Sequence, residues 1–264
     1  MDQTTNLARY DRKRAVEHLA TFIAQSVDEA RAVEKPFFHL EFDRVFPDDI
    51  YAQVLKLMPE SADYRPMHGR SKAKDEIQTR VKIDLFPEYI RNLPAEKRAL
   101  WDVVGGALCS EPVKQAFIRR LAPGLSKRFG NEFAEVGMYP IPILTRDIPG
   151  YMIPPHTDTR WKGITVQLYL PETDANTDIG TIFHDVLPDG SKPKVTQMRF
   201  APNSGYAFAV GTDTWHSADP VHNRVKTRDS ILLTYFVDQG MLKVLRNRGK
   251  RVGNFFLNEI RHRI

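Results

Sequence analysis

A single cysteine, Cys109, stands in a chain of 264 residues. One thiol forms no internal disulfide and builds no cysteine-based metal cluster, which suits a reducing compartment. Its apolar setting, Val103 to Leu108, fits a small buried side chain. No apolar run approaches the roughly eighteen residues that span a bilayer. The start, Met1-Asp2-Gln3-Thr4-Thr5, lacks the basic-then-apolar order of a signal peptide. The expectation is a soluble, cytoplasmic protein with no membrane partner. Internal repeats, low-complexity tracts and a clean interdomain linker are missing too. With 42% hydrophobic residues the chain can bury one large core.

Acidic residues are scarce at the C-terminal end. Residues 240–264 carry Lys243, Arg246, Arg248, Lys250, Arg251, Arg261 and Arg263 against Glu259 alone, a local charge of +6. The whole chain is +5, so the remainder is −1 and the basic excess is a C-terminal property. Such a cluster reads first as a solvated helix face or an oligomer contact, with nucleic-acid binding as the alternative. A homo-oligomer stays open.

What is present divides the chain in two. Val16, Leu19, Ile23, Val27 and Ala30 form a helical stripe that Pro36 is expected to end. Phe37 to Phe42 reads as a strand, and Pro47-Asp48-Asp49 opens a helix bearing Ile50, Val54 and Met58. Residues 60–94 read as irregular, with Arg70 to Glu76 a charged surface loop. Ala95–Cys109 and Pro112–Arg128 read as two helices, the second capped by Ser110, kinked or split at Pro123 and closed near Gly130. From Glu132 onward, seven or eight short strands follow, broken by Pro, Gly and Asp without intervening helices. This argues for a mainly β fold with flanking α-helices around a jelly-roll core. The expected organisation is one structural domain: a mixed scaffold over 1–131, a double-stranded β-helix over 132–239, and a basic helix over 240–264.

The chemistry gathers around Pro154-Pro155-His156-Thr157-Asp158. Side chains at i and i+2 of a strand share a face, so His156 and Asp158 would present an imidazole and a carboxylate together. Trp215-His216-Ser217 is the best source of a third ligand. Two histidines and one carboxylate leave adjacent positions open, the arrangement of non-haem iron(II) oxygenases. His18, His39, His184, His222 and His262 have no partners at ligand spacing. Downstream, Ile164, Val166, Leu168 and Leu170 alternate with Thr165, Gln167 and Tyr169, whose polar face fits either a wet cavity or ordinary solvent. Arg228-Asp229-Ser230 then opens an apolar strand. An arginine buried there needs an anion, either a carboxylate ligand or a protein partner such as Asp219 or Asp229.

Taken in order, Gly150-Tyr151, His156-Thr157-Asp158, Gln167 to Pro171, Gly180-Thr181, Pro202 to Gly205, Trp215-His216 and Arg228-Asp229-Ser230 resemble the iron(II)- and 2-oxoglutarate-dependent oxygenases of the prolyl-hydroxylase-like branch. The resemblance covers roughly Tyr139 to Asp238. It implies a cupin-like double-stranded β-helix, with His156, Asp158 and His216 as ligands to Fe(II). Arg228 would hold the distal carboxylate of 2-oxoglutarate, with Arg224 the weaker alternative because the spacing from His216 is long. Ser230 or Tyr169 would assist. The implied reaction consumes 2-oxoglutarate and O2, releases succinate and carbon dioxide, and hydroxylates a small-molecule or carrier-bound substrate. With Asp158 in place, hydroxylation or a related oxidation is expected rather than halogenation. Arg146, Arg160, Trp161 and Trp215 border the motifs and could meet an anionic or aromatic substrate. The competing readings are a cupin-like metal enzyme that does not use 2-oxoglutarate, and a nucleic-acid or partner-binding module acting through the basic C-terminus.

Overall fold

The computed structural model describes residues 3–67 and 79–238. The charged segment 70–76, His262 and the basic stretch 240–264 lie outside these residues. The first apolar stripe forms α1 (Gln3–Glu29), which buries Leu19, Ile23 and Val27. This helix ends well before Pro36, because a hairpin of β1 (Arg31–Val33) and β2 (His39–Phe42) intervenes. β1 is three residues long and largely exposed, so neither length nor period announces it. α2 (Asp48–Lys56) opens on Asp48 and Asp49, where carboxylates meet the positive end of the helix.

The stretch expected to be irregular contains β3 (Arg65–Pro66), β4 (Arg80–Asp84) and α3 (Pro87–Ile90). α4 (Ala95–Leu108), α5 (Glu111–Arg120) and α6 (Ala122–Phe129) follow. The break before α6 is the split expected from Pro123, which occupies the first turn of α6 and cannot donate back into α5. Ser110 does stand at the N-cap of α5, but it makes no capping bond, and its buried hydroxyl has no partner. Among the described residues, no helix is long and apolar enough to cross a membrane.

The second half supplies β5 (Met138–Asp147), β6 (Ile153–His156), β7 (Lys162–Tyr169), β8 (Ile182–His184), β9 (Lys194–Gln197), β10 (Gly205–Ala209), β11 (His216–Ala218) and β12 (Arg228–Val237). They form two antiparallel sheets, with orders β1-β2-β10-β7-β12-β5-β4-β3 and β6-β11-β8-β9. The strands β10-β7-β12-β5 against β6-β11-β8-β9 make the double-stranded β-helix. The large sheet is not confined to residues after 132: β1 to β4 extend it at both edges.

Two apolar clusters follow from this layering. Outside the barrel, Leu19 and Ile23 of α1, Trp101 of α4 and Phe117 of α5 pack with Ile164, Val166 and Leu168 of β7. Inside it, Tyr169, Tyr206 and Phe208 of the large sheet meet Phe183 and Ala218 of the small one. The alternation of β7 thus separates a helix-packed face from one that looks into the barrel. Scaffold and barrel are also tied by Asn203. Its Oδ1 accepts from the amides of Val45 (3.1 Å) and Phe46 (2.9 Å), while its Nδ2 donates to the Phe46 carbonyl (2.8 Å). Asn203 takes a φ of 55°, a left-handed conformation that asparagine tolerates better than most residues.

Candidate metal centre and cavity

Cross-strand register explains how His216 reaches His156. In the pairing of β11 with β6 these two residues stand opposite each other, with ring centroids 4.3 Å apart. Asp158 arrives differently from the expectation of a shared strand face. β6 ends at His156, and Asp158 lies in the loop beyond it. Ligand atoms of the three residues all lie within 4.8 Å of one another.

Each imidazole is held by its own chain. The Nδ1 of His156 donates to the Pro154 carbonyl (2.9 Å) and that of His216 to the Thr214 carbonyl (3.0 Å). A carbonyl only accepts, so both rings carry the proton on Nδ1 and offer the Nε2 lone pair. Burial pushes His216 down to about 4, which keeps it neutral. Burial alone would raise the Asp158 carboxyl. The Lys162 ammonium (2.6 Å) and the Thr165 hydroxyl (2.7 Å) outweigh it and hold Asp158 at about 2. A neutral imidazole at His216 and an ionised carboxylate at Asp158 are protonation states a divalent cation requires. The donor types and their spacing therefore fit a divalent cation such as iron(II).

These residues line a cavity of about 430 Å³ whose wall also holds Arg80, Tyr151, Lys162 and Arg228. Arg228 is 3% exposed, and its carboxylate partner is Asp147 (2.9 Å), not Asp219 or Asp229. Asp229 is taken by Arg146 (2.7 Å). Register again gives the reason, since Asp147 on β5 faces Arg228 on β12 and Arg80 on β4 at one level across the sheet. Arg80 reaches both oxygens of Asp147, through Nε and through Nη2, the latter at 2.8 Å. Burial would raise the Asp147 carboxyl, but the two guanidiniums hold it below the usual carboxylate range. Both guanidiniums also lie over the Tyr151 ring, at 4.1 Å for Arg80 and 5.2 Å for Arg228. Two cations share one anion, so the row keeps one positive charge.

Ser230 and Tyr169 sit behind the cavity wall. Ser230 Oγ accepts from Gln167 Nε2 (3.0 Å) and bonds Thr145 Oγ1 (2.9 Å). The Tyr169 hydroxyl accepts from the Thr181 amide (2.9 Å) and donates to Thr181 Oγ1 (3.1 Å). The wall itself is made by Gln167, Thr181 and Tyr206. Tyr206 links them by donating to Gln167 Oε1 at 2.8 Å. Arg224 is well exposed and pairs with Asp178 (2.9 Å) on the surface. Trp215 lies under the Lys192 ammonium (4.2 Å), whereas Trp161 lines the cavity and is 53% exposed. His39 and His184 are buried in hydrogen bonds to Phe37 and Glu41, and to Lys192 and Ser217. His18 and His222 are exposed.

Arg128, in the last turn of α6, belongs to no motif in the sequence. Its guanidinium donates to the carbonyls of Arg160, Lys162 and Val210. The first two lie in the segment that follows Asp158, and the third opens the loop leading to His216. One side chain thus holds both ligand-bearing loops. α6 comes close enough because residue 124 is glycine, where an added Cβ would sit 2.8 Å from the Ala209 Cβ.

No family model and no curated protein sequence matches the chain. Among solved structures it is similar to a Pseudomonas putida prolyl-4-hydroxylase, with 15% identity over 83% of this chain and 98% of that one and a TM-score of 0.48. A Trichoplax adhaerens prolyl hydroxylase, solved with a hypoxia inducible factor oxygen degradation domain peptide fragment, is 10% identical over 84% and 91%, with a TM-score of 0.46. A 2OG-Fe(II) oxygenase family oxidoreductase from Burkholderia pseudomallei is 14% identical over 83% and 89%, with a TM-score of 0.45. Likenesses of this size assign no residue a role. The site stands on its own geometry.

Proposed function

We propose that the protein is an iron(II)- and 2-oxoglutarate-dependent oxygenase. It hydroxylates a small-molecule or carrier-bound substrate in the cytoplasm, with succinate and carbon dioxide as co-products. The observation that carries this reading is the convergence of His156, Asp158 and His216 on a cavity that also contains Arg228. In this reading the three side chains hold Fe(II) through two imidazole nitrogens and a carboxylate oxygen. The bound metal supplies the oxidising chemistry, coupling breakdown of the keto acid by O2 to oxidation of the substrate.

The protein's own part is to bind, orient and exclude water. Arg228 receives the distal carboxylate of 2-oxoglutarate, its fork matching a planar anion, and Arg80 keeps Asp147 from neutralising it fully. Gln167, Thr181 and Tyr206 offer hydrogen bonds along the wall, and Ser230 and Tyr169 fix the rotamers of Gln167 and Thr181 from behind. Lys162 and Thr165 keep Asp158 ionised.

Because Asp147 already meets Arg228, a cupin-like metal enzyme without 2-oxoglutarate has an observation in its favour. The two readings separate in one assay, succinate release under Fe(II) and O2 across a metabolite panel. Arg228→Met should raise the 2-oxoglutarate concentration required by at least about thirtyfold, as expected for loss of a buried charge-assisted pair. Turnover whose 2-oxoglutarate dependence is unchanged in that variant would contradict the proposal.

A further inference from the structure

The charges around the cavity do not balance, and the imbalance points at the substrate. Among the described residues, three cationic side chains line it, Arg80, Lys162 and Arg228, against Asp158 in the wall. Asp147 stands immediately behind, bonded to both arginines. On the reading above, which this inference rests on, a ferrous ion adds two positive charges and 2-oxoglutarate two negative ones. They cancel, and the cavity keeps one positive charge in excess. A cation on a cavity wall and partly out of water, as Lys162 is with its side chain 20% exposed, is costly unless an anion meets it.

Lys162 is the side chain left holding that charge. Arg80 is engaged with Asp147 through two donors. Arg228 has Asp147 and, in this reading, the keto acid. The Lys162 ammonium lies 2.6 Å from Asp158, whose single negative charge is more than met once a dication shares it. Lys162 therefore faces the space beside the metal as an uncompensated point charge, suited to a carboxylate or a phosphate.

The residue next to it adds a second requirement. Trp161 lines the same cavity yet is 53% exposed. Large apolar side chains left bare at the rim of a cavity mark where a ligand's apolar surface is covered. We infer that the substrate is an organic anion with a flat apolar body. Its carboxylate or phosphate rests on Lys162 beside the metal, and its body lies against Trp161 at the mouth.

The test uses the zinc-loaded protein saturated with 2-oxoglutarate, in which no turnover occurs, and isothermal titration with phenylacetate, phenyl phosphate and the neutral phenylacetamide. Zinc and 2-oxoglutarate uptake is measured first, so a chain that takes up neither fails the metal reading itself. Given uptake, at least one of the two anions should bind about tenfold or more tightly than the amide, and the tighter of them says whether carboxylate or phosphate is preferred. Lys162→Met, brought to full zinc occupancy with excess metal because Asp158 loses a partner, should erase the preference. Trp161→Ala should weaken acid and amide together and leave the preference intact. Equal binding of acids and amide, no binding of any probe, or a preference that survives Lys162→Met would overturn the inference while leaving the metal reading in place.

Discussion

His156 and His216 owe their ligating form to two backbone carbonyls, and His216 owes its neutrality to burial. That arrangement predicts an acid response of the metal-free protein. A histidine whose pKa is lowered to about 4 in the fold binds its proton more tightly when unfolded. Its contribution is therefore present above the unfolded value near 6.5 and is lost as the pH falls from there toward 4. Asp158, held at about 2, contributes above the unfolded value near 3.9 and loses that contribution as the pH falls toward 2. Thermal unfolding of the metal-free chain should show a first loss on the order of 2–3 kcal/mol between pH 7 and 4, flattened in His216→Gln, and a second below it. A melting temperature unchanged between pH 7 and 4 would refute the assignment. At this scale much was legible in the sequence. His156, Asp158, His216 and Arg228 are chemically marked residue types in short motifs. Asp147 and Arg80 were not legible, because their meeting with Arg228 is set by strand register, and the strand carrying Arg80 follows a polar stretch that hides it.

Elements matter through where they place backbone. Arg128 looks like an ordinary basic residue in the last turn of a helix, and nothing local says that it spans two loops. Arg128→Met should cost about 1–3 kcal/mol of stability through its lost charged hydrogen bonds. It should also weaken zinc binding about tenfold or more, because both ligand loops lose a support. Zinc competition titrations and urea melts measure the two effects. Lys127→Met, which removes only an exposed pair with Asp213, is the control and should move neither. Arg128→Met with wild-type zinc affinity would reduce the residue to packing. Asn203 makes a similar point for the joint between scaffold and barrel. Asn203→Ala removes the side-chain bonds to the buried Phe46 amide and carbonyl, while the Val45 amide keeps the Asn203 main-chain carbonyl (3.1 Å), and should cost about 1–3 kcal/mol. Asn203→Gly relieves the left-handed backbone but restores none of those bonds, so it should remain destabilised in the same urea melts. A loss below about 0.5 kcal/mol in either variant would show the joint to be unimportant.

The molecule as a whole was legible as a jelly roll with helices, because alternation and turn residues recur along β5 to β12. Of the edge strands only β2 was, within Phe37 to Phe42; β1, β3 and β4 are short or weakly patterned and are recruited by the sheet they join. Ile23 of α1 is buried in the same apolar cluster as β7, the strand that carries Thr165 and Gln167. Ile23→Ala should therefore lower stability by about 2–5 kcal/mol in a single calorimetric transition, with the barrel and helices unfolding together. Two separated transitions would mean that the scaffold melts on its own. The central claim concerns the centre of that barrel, and anaerobic titration with Fe(II) followed by 2-oxoglutarate tests it most directly. The account predicts one iron per chain and a weak visible charge-transfer band on adding the keto acid, both lost in His156→Ala, Asp158→Ala and His216→Ala. Absence of iron uptake by the wild-type chain, or an undiminished band in His216→Ala, would contradict it.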